Sequence, residues 1–465
     1  MSISLQGISA KIIPQDVVIA ISAAHPLLRL GNALPWAKLT ELVFEDLKHT
    51  TAKGFWWLGR RISIRLHLAA YLLQKLYNLT DREVEYGIRD NGAYQLFCGL
   101  GAVSGWHAPD HTKIEEFRSR LSPETQRTIA NELAKTAVSL GFADPSEADF
   151  DSTVQEANIA YPADANLMCK LSALGKKVID YLRKKTRGFL PEGLEVDMKA
   201  VKEIARRYFF LPKTTDIEHR RTVFKELHIL VKSQMRSVVD ACAALDPKRL
   251  SNLPWNIRRA VEQIKTGGWR YLLDVGHFTR TQTMKVGKVL SFHANDVTCI
   301  KKGKVGKEME FGRVFQLGRI KGNFLIVMKS TSLRMSDKGS LIPMLAEHAV
   351  LFGEGTLQSV SADKGYWKAA NQKELLRRKV IECGLQRPSN IKNRKGLPSE
   401  EVQAKLRDRR AGIEPLIGHT KHGGQLGKSR MKSDTATLAA GYGSVLGLNL
   451  RQMIRHQGGK MKKVG

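Results

Sequence analysis

Ala148-Asp149-Phe150-Asp151-Ser152-Thr153-Val154 is the stretch in which helical spacing gives way to a period of two. Successive strand side chains point to opposite faces, so the pattern predicts a strand with Asp149 and Asp151 on the same face. Periodicity does not choose between the two carboxylates. It does divide the chain, because what precedes it reads as helix.

Upstream, Thr80-Asp81-Arg82-Glu83 has the form of a capping box, in which hydroxyl and carboxylate each satisfy a free backbone N–H at a helix start. Thr112-Lys113-Ile114-Glu115 reads as a second one. Ser122-Pro123 opens a helix that Gly141 can end, and Ile62 to Leu76 places Leu66, Ala69, Leu73 and Leu76 on one face. Several short capped helices in a basic chain predict an all-α N-terminal domain over residues 1–145, of the helix-turn-helix-like DNA-binding kind.

Downstream, residues 165–285 return to helical spacing, with Leu171, Leu174, Val178 and Leu182 on one side and Lys176, Lys177, Arg183, Lys184 and Lys185 around the others. This is read as a basic helical insertion. Phe311 to Leu317 and Phe324 to Met328 read as a hairpin turning at Lys321-Gly322-Asn323. Ser340 to Phe352 reads as a helix stopped by Gly353, and Leu357 to Asp363 as a short strand ending on a carboxylate. A helix near Ala369 to Val380, an apolar piece at Ile381 to Leu385 and a polar loop from Arg387 to Pro398 follow. Ser399, Glu400 and Glu401 then start a helix, since a cap and early negative charge favour its N-terminus. The basic tail, residues 451–465, is expected to be disordered at Gly458 to Lys463.

Within that last helical stretch, Arg410, Glu414 and Lys421 fall in an arc of roughly 40° at about 100° per residue. Ile413, Leu416 and Ile417 take the adjacent arc. Gly412 and Pro415 predict a kink or restart there, because proline cannot donate to the carbonyl of Ala411. Three carboxylates thus stand on strand, strand and helix: Asp151, Asp363 and Glu414. The element order fits an α/β fold, a ribonuclease-H-like catalytic core over residues 146–164 and 286–450. Adjacent strands would join the two aspartates, with Glu414 facing them in metal-bridging reach. Close carboxylates repel unless a cation neutralises them, and hard divalent ions with oxygen ligands do so. Two such ions activate a nucleophile and stabilise a leaving oxygen in phosphodiester displacement.

The bulk numbers agree with a polyanionic partner. The formal charge is +30 and the pI is near 10, which favours nucleic acid. A membrane is not expected, for want of the roughly 18 consecutive apolar residues a span needs. Five scattered cysteines without a CxxC pair predict reduced thiols and no zinc site.

These residues bring the chain to a known family. It resembles the bacterial insertion-sequence transposases of the DDE type, in the group whose third motif reads tyrosine, two residues, arginine, three residues, glutamate, six residues, lysine. Arg410, Glu414 and Lys421 match at that spacing, and Arg407 stands at the tyrosine position. Asp151-Ser152-Thr153-Val154-Gln155 with Tyr161-Pro162-Ala163-Asp164 looks like the first block, which selects Asp151, and Ser361-Ala362-Asp363-Lys364-Gly365-Tyr366 looks like the second. The resemblance implies that Asp151, Asp363 and Glu414 are catalytic and hold Mg2+, with Mn2+ able to substitute. It implies that Arg407, Arg410 and Lys421 bind DNA. It further implies cleavage at terminal inverted repeats, transfer of 3′-hydroxyl ends to target DNA, a homodimer in the DNA complex, and a cytoplasmic, nucleoid-associated protein. The alternatives are another ribonuclease-H-like nuclease or resolvase, and a catalytically silent DNA-binding derivative.

Other groups have plainer readings. His419 and His422 read as surface histidines of a helix, Trp367 as core, and Glu156 and Asp164 as either supports of the first motif or solvated groups. Gly423-Gly424 and Gly427 lack the lysine and strand–turn–helix context of a phosphate loop.

Overall fold

The computed structural model describes residues 21–50, 63–99, 107–159, 163–185, 190, 193–212, 214–285, 287–294, 296–304, 307–330, 336–385, 399–431 and 433–461. Tyr161 and Pro162 of the first motif and the whole loop from Arg387 to Pro398 lie outside them.

Among the described residues, seven helices come first: α1 (Pro26–Ala33), α2 (Trp36–Thr50), α3 (Ile64–Tyr77), α4 (Asp81–Asp90), α5 (Gly92–Phe97), α6 (His111–Arg120) and α7 (Pro123–Ser139). Their ends follow local chemistry. The capping box at α4 is formed in both directions, Glu83 N–H donating to Thr80 Oγ1 and Thr80 N–H to Glu83. Ser122 caps α7, and Gly141 follows it at φ +67°. The second capping box is corrected. Asp110 caps α6, accepting from the N–H and hydroxyl of Thr112, so the threonine lies inside the helix it was expected to begin.

The sheet begins with β1 (Asp144–Glu156). The insertion follows: α8 (Asp164–Lys185), α9 (Met198–Phe209), α10 (Ile217–Ala243), α11 (Pro247–Ser251), α12 (Trp255–Gln263) and α13 (Trp269–Thr281), the last two joined by a π-helical turn. Then come β2 (Thr298–Lys304), β3 (Lys307–Lys321), β4 (Phe324–Val327), α14 (Asp337–Phe352), β5 (Ser359–Ala362), α15 (Ala369–Arg377), β6 (Glu382–Leu385), α16 (Glu400–Ala411), α17 (Ile413–His422) and α18 (Asp434–Met461). The expected hairpin is β3–β4, and Gly322 at φ +99° and Asn323 at φ +67° make its turn. Gly353 ends α14, also at φ +99°. The apolar piece after α15 is a strand.

The fold is a mixed α/β arrangement. The sheet runs β2-β3-β1-β5-β6, with β4 also pairing with β3. β1 is antiparallel to β3 and parallel to β5, which is parallel to β6. β1 is buried on both faces, Ala148, Phe150 and Val154 to one side and Asp149, Thr153 and Gln155 to the other. A half-buried alternation therefore understates it, because helices cover both sides.

The described residues form three cores. Ala148 and Phe150 pack with Leu341, Met344, Leu345 and Val360 beneath α14. The insertion has its own core, in which Leu171, Val178, Leu227 and Val231 meet Ile257 and Leu272. The largest core joins the N-terminal helices to the sheet: Leu68, Leu72 and Leu133 share it with Phe315, Leu317, Leu325, Ile417 and Val445. The change of period near residue 145 thus separates element types without separating two cores. α18 continues through the expected tail as far as Met461, because Met453 and Gln457 are buried there and Gln457 Nε2 donates to Arg29 O of α1. All five cysteines are unpaired.

Candidate nuclease site

The parallel pairing of β1 with β5 sets Phe150 against Ala362, so Asp151 and Asp363 occupy the next register step of neighbouring strands. Asp151 Oδ1 accepts from the N–H of Ser152 at 2.7 Å. Asp363 lies just past the end of β5, exposed, and accepts from the N–H of Lys364 at 2.7 Å, capping a short 3-10 turn. Asp151 is mostly covered, with 21% of its side chain exposed. Burial pushes its carboxyl above the ordinary aspartate value, and the negative charges of Asp363 and Asp337 push the same way against Ser152 N–H and Arg410.

Asp149 shares that face of β1 and has a different environment. Its carboxylate is 4% exposed and pairs with Arg409 Nε at 2.8 Å and Arg319 Nη1 at 3.4 Å. It is a satisfied interior ion pair, whereas Asp151 looks out beside Asp363. The two carboxylates that periodicity left alike thus differ in their partners from β3 and α16.

The helix restarts where Gly412 and Pro415 predicted, α16 ending at Ala411 and α17 beginning at Ile413. Gly412 is required there. A Cβ on it would stand 2.1 Å from Arg319 Nη1, and Arg319 also donates to the carbonyl of Arg409 at 2.7 Å. Gly412→Ala is expected to cost about 1–3 kcal/mol by forcing Arg319 off its partners. Urea denaturation would check it, and an unchanged midpoint would show that Arg319 can move without loss.

Just before the restart, Arg410 stands between two carboxylates. Its Nη2 is 3.2 Å from Glu414 Oε1 and its Nη1 is 3.9 Å from Asp151 Oδ2. Glu414 is 62% exposed and is tied to Asp151 through this guanidinium. The expected metal-bridging reach of Glu414 to both aspartates is not what the geometry shows. Among the described residues, the one set of three such groups with ligand atoms within 4.8 Å of one another is Glu85, Asp110 and His111. There the buried Glu85 already accepts from the backbone and ring nitrogens of His111 and pairs with Arg89. Arg407 is exposed on α16, and Lys421 is half-buried in the last turn of α17.

Asp337 escaped the sequence reading. It lies in the first turn of α14, where acids are ordinary, so its type gave no signal. The structure sets it against the turn after Asp363: a Cβ on Gly365 would lie 3.2 Å from Asp337 Oδ2. Below it, buried Tyr366 donates its hydroxyl to Gln316 Oε1 at 2.8 Å.

The remaining candidates have local explanations. Asp164 accepts from Lys288 Nζ at 2.7 Å and from the Tyr271 hydroxyl at 3.2 Å, fastening the first helix of the insertion to its end. Trp367 packs on the core beneath α14. His419 and His422 are exposed at the end of α17. Gly424 permits close packing on α18, since a Cβ would meet Ser444 Oγ at 2.5 Å.

Comparison with known proteins bears on the helices. Residues 16–120 match the family described as Transposase domain (DUF772). The chain is also similar to the uncharacterized protein ORF8 in the nfe locus of Rhizobium meliloti, 27% identical over 155 residues, which cover 32% of this chain and 70% of that protein. No solved structure matches. The N-terminal helices are therefore similar to a transposase domain, and no described helix is long and apolar enough to cross a membrane.

Proposed function

We propose that the protein is a DNA transposase whose ribonuclease-H-like core cleaves the terminal inverted repeats of its element and transfers the 3′-hydroxyl ends to target DNA. The observation that carries this reading is the register that sets Asp151 and Asp363 side by side on parallel strands, with Arg410 at the end of α16 facing Asp151 at 3.9 Å and holding Glu414 of α17 at 3.2 Å. The order β4-β3-β1-β5-β6, antiparallel and then parallel, supports the fold assignment. The match of residues 16–120 to a transposase domain supports the class.

The oxygen donors suit a hard divalent ion: Asp151 and Asp363 would hold Mg2+ or Mn2+, and Glu414 would join them once Arg410 turns to a phosphate. Bound there, such ions supply Lewis-acid stabilisation of the attacking and leaving oxygens. Arg407, Arg410 and Lys421 grip phosphates beside the scissile bond. Two ends must be joined, so the DNA complex is a homodimer, acting in the cytoplasm where bacterial DNA lies.

A second reading, a silent DNA-binding derivative, is favoured by one observation: Arg410 already contacts both Asp151 and Glu414. Incubating the protein and Mg2+ with DNA carrying the inverted repeats that flank its gene decides between them. Nicked ends and joined products are expected. Binding without cleavage in Mg2+ or Mn2+ would establish the silent reading, and cleavage without joining a simple nuclease.

A cleft suits the path that this reading requires for DNA. A cleft of about 470 Å³ between the end of β1 and the insertion is lined by Lys177, Trp255, Asn256, Arg259, Gln263 and His293, and none of its described lining residues is an acid. Trp255 is 64% exposed, with the Arg259 guanidinium 5.2 Å from its ring centroid. Removing two phosphate-binding cations lowers the slope of log affinity against log salt by about two. Lys177→Ala with Arg259→Ala is expected to show that reduction in a salt titration of DNA binding. An unchanged slope would place the DNA elsewhere.

A further inference from the structure

Arg409, one residue before Arg410, spends its whole side chain on the sheet. Its Nε donates to Asp149 Oδ1 at 2.8 Å. Its Nη1 donates to Ser359 Oγ at 2.7 Å and Glu147 Oε2 at 3.2 Å, and its Nη2 to the carbonyl of Ala148 at 3.4 Å. These partners belong to β1 and β5, the strands that carry Asp151 and lead into Asp363. A second arm closes the arrangement. Arg319 of β3 reaches Asp149 from the other side, donates to the carbonyl of Arg409, and lies against Gly412 at the helix break. Three residues earlier, the carbonyl of Leu406 accepts from Ser361 Oγ of β5 at 2.9 Å.

A buried ion pair is a poor way to gain stability, because desolvation offsets much of its attraction and an apolar pair does as well. Its best-attested use is to specify register, since sliding by one turn strands both charges. Here the steps run in parallel: Arg409 meets Asp149, and Arg410 meets Asp151 two residues further along the same face. A slip of α16 would strand Asp149 in the interior and carry Arg410 and Glu414 off the site together.

We propose that Arg409 and Asp149, with Arg319 as a second arm, are positioning residues that fix α16 and α17 on the sheet and so set where Arg410 and Glu414 stand relative to Asp151 and Asp363. The effect on cleavage rests on the nuclease reading of that site; the effect on helix placement does not.

The test uses the full chain with Arg409→Lys, which keeps the charge but loses the fork, and Asp149→Asn, which keeps an acceptor but loses the charge. Arg409→Ala is avoided because it strands a buried carboxylate. Amide hydrogen exchange over Ile413–His422 should quicken in both variants while α3 and α18 exchange as in wild type. Single-turnover cleavage should fall about 100-fold, the scale of an ångström-sized misplacement, with affinity for the same DNA within about twofold. Faster exchange everywhere, or cleavage lost only in step with DNA affinity, would overturn the proposal by reducing the pair to general stability. Unchanged exchange in Ile413–His422 would overturn it outright. A wild type that never cleaves would refute the nuclease reading, and the exchange pattern would then decide the positioning claim by itself.

Discussion

Asp151→Asn is expected to abolish Mg2+-dependent cleavage while leaving the fold at least as stable as wild type. The activity term is large. If Asp151 holds the metal as proposed, its removal forfeits several kcal/mol of charge stabilisation, about a thousandfold or more in rate. The stability term has the opposite sign. The folded-state pKa of Asp151 is raised above 3.8, first by burial and then by Asp363 and Asp337. A carboxyl raised in this way favours folding only while protonated, and that contribution disappears as pH rises from 3.8 through the folded value. At neutral pH the charged Asp151 therefore works against the fold, and the neutral asparagine relieves it. Adding Mg2+ should raise the unfolding midpoint of wild type by mass action and that of Asp151→Asn much less. A variant that cleaves at the wild-type rate would remove Asp151 from the site. One that loses midpoint along with activity would show a structural role instead.

How much of this was legible in the residues depends on the range of the interaction that fixes each feature. The hairpin turn at Gly322-Asn323, the capping box at Thr80 and the helix break at Gly412 are decided by a few neighbours, and they stand where local chemistry puts them. Asp363 was readable because a short strand pattern, Leu357 to Ala362, ends on it. Periodicity did not separate Asp149 from Asp151, since both lie on one face, and only the resemblance to the family's first block chose Asp151. What separates them is Arg409, 260 residues away, and Arg319, 170 away. The Arg410–Glu414 pair was visible as an i,i+4 spacing, but its reach to Asp151 depends on that same distant anchor. Asp337 was invisible for a different reason, because an acid in the first turn of a helix serves the helix dipole and carries no mark of its neighbours across the sheet. The joining of the N-terminal helices to the sheet was also hidden. Periodicity tells that a helix has an apolar face and is silent about which element covers it.

Asn449→Ala is expected to be among the costliest polar substitutions in the molecule, because two asparagines close an edge of the sheet. β4 pairs with β3 on one side, and the outward N–H and C=O groups of Leu325 and Val327 meet helices on the other. Asn449 of α18, fully buried, accepts from Leu325 N–H at 3.0 Å and donates to Leu325 O at 2.8 Å and Ala130 O at 3.0 Å. Asn131 of α7 does the same for Val327, accepting from its N–H at 2.9 Å and donating to its carbonyl at 3.0 Å. A side-chain amide offers one donor group and one acceptor, so each asparagine stands in for a residue of a missing neighbouring strand. Truncation to alanine leaves the two Leu325 groups buried and unpaired at about 1–3 kcal/mol each, roughly 2–6 kcal/mol in all. Against a typical total of about 5–15 kcal/mol, that is enough to populate unfolded chains at modest urea. Asn131→Ala should cost less, because Arg127 Nη1 also donates to Val327 O at 3.3 Å. The two changes act on one short strand, so the double variant should lose less than the sum once the edge has already opened. Urea midpoints for the three variants measure this directly. A loss under about 1 kcal/mol for Asn449→Ala would mean that water reaches the edge and the asparagines are not what closes it.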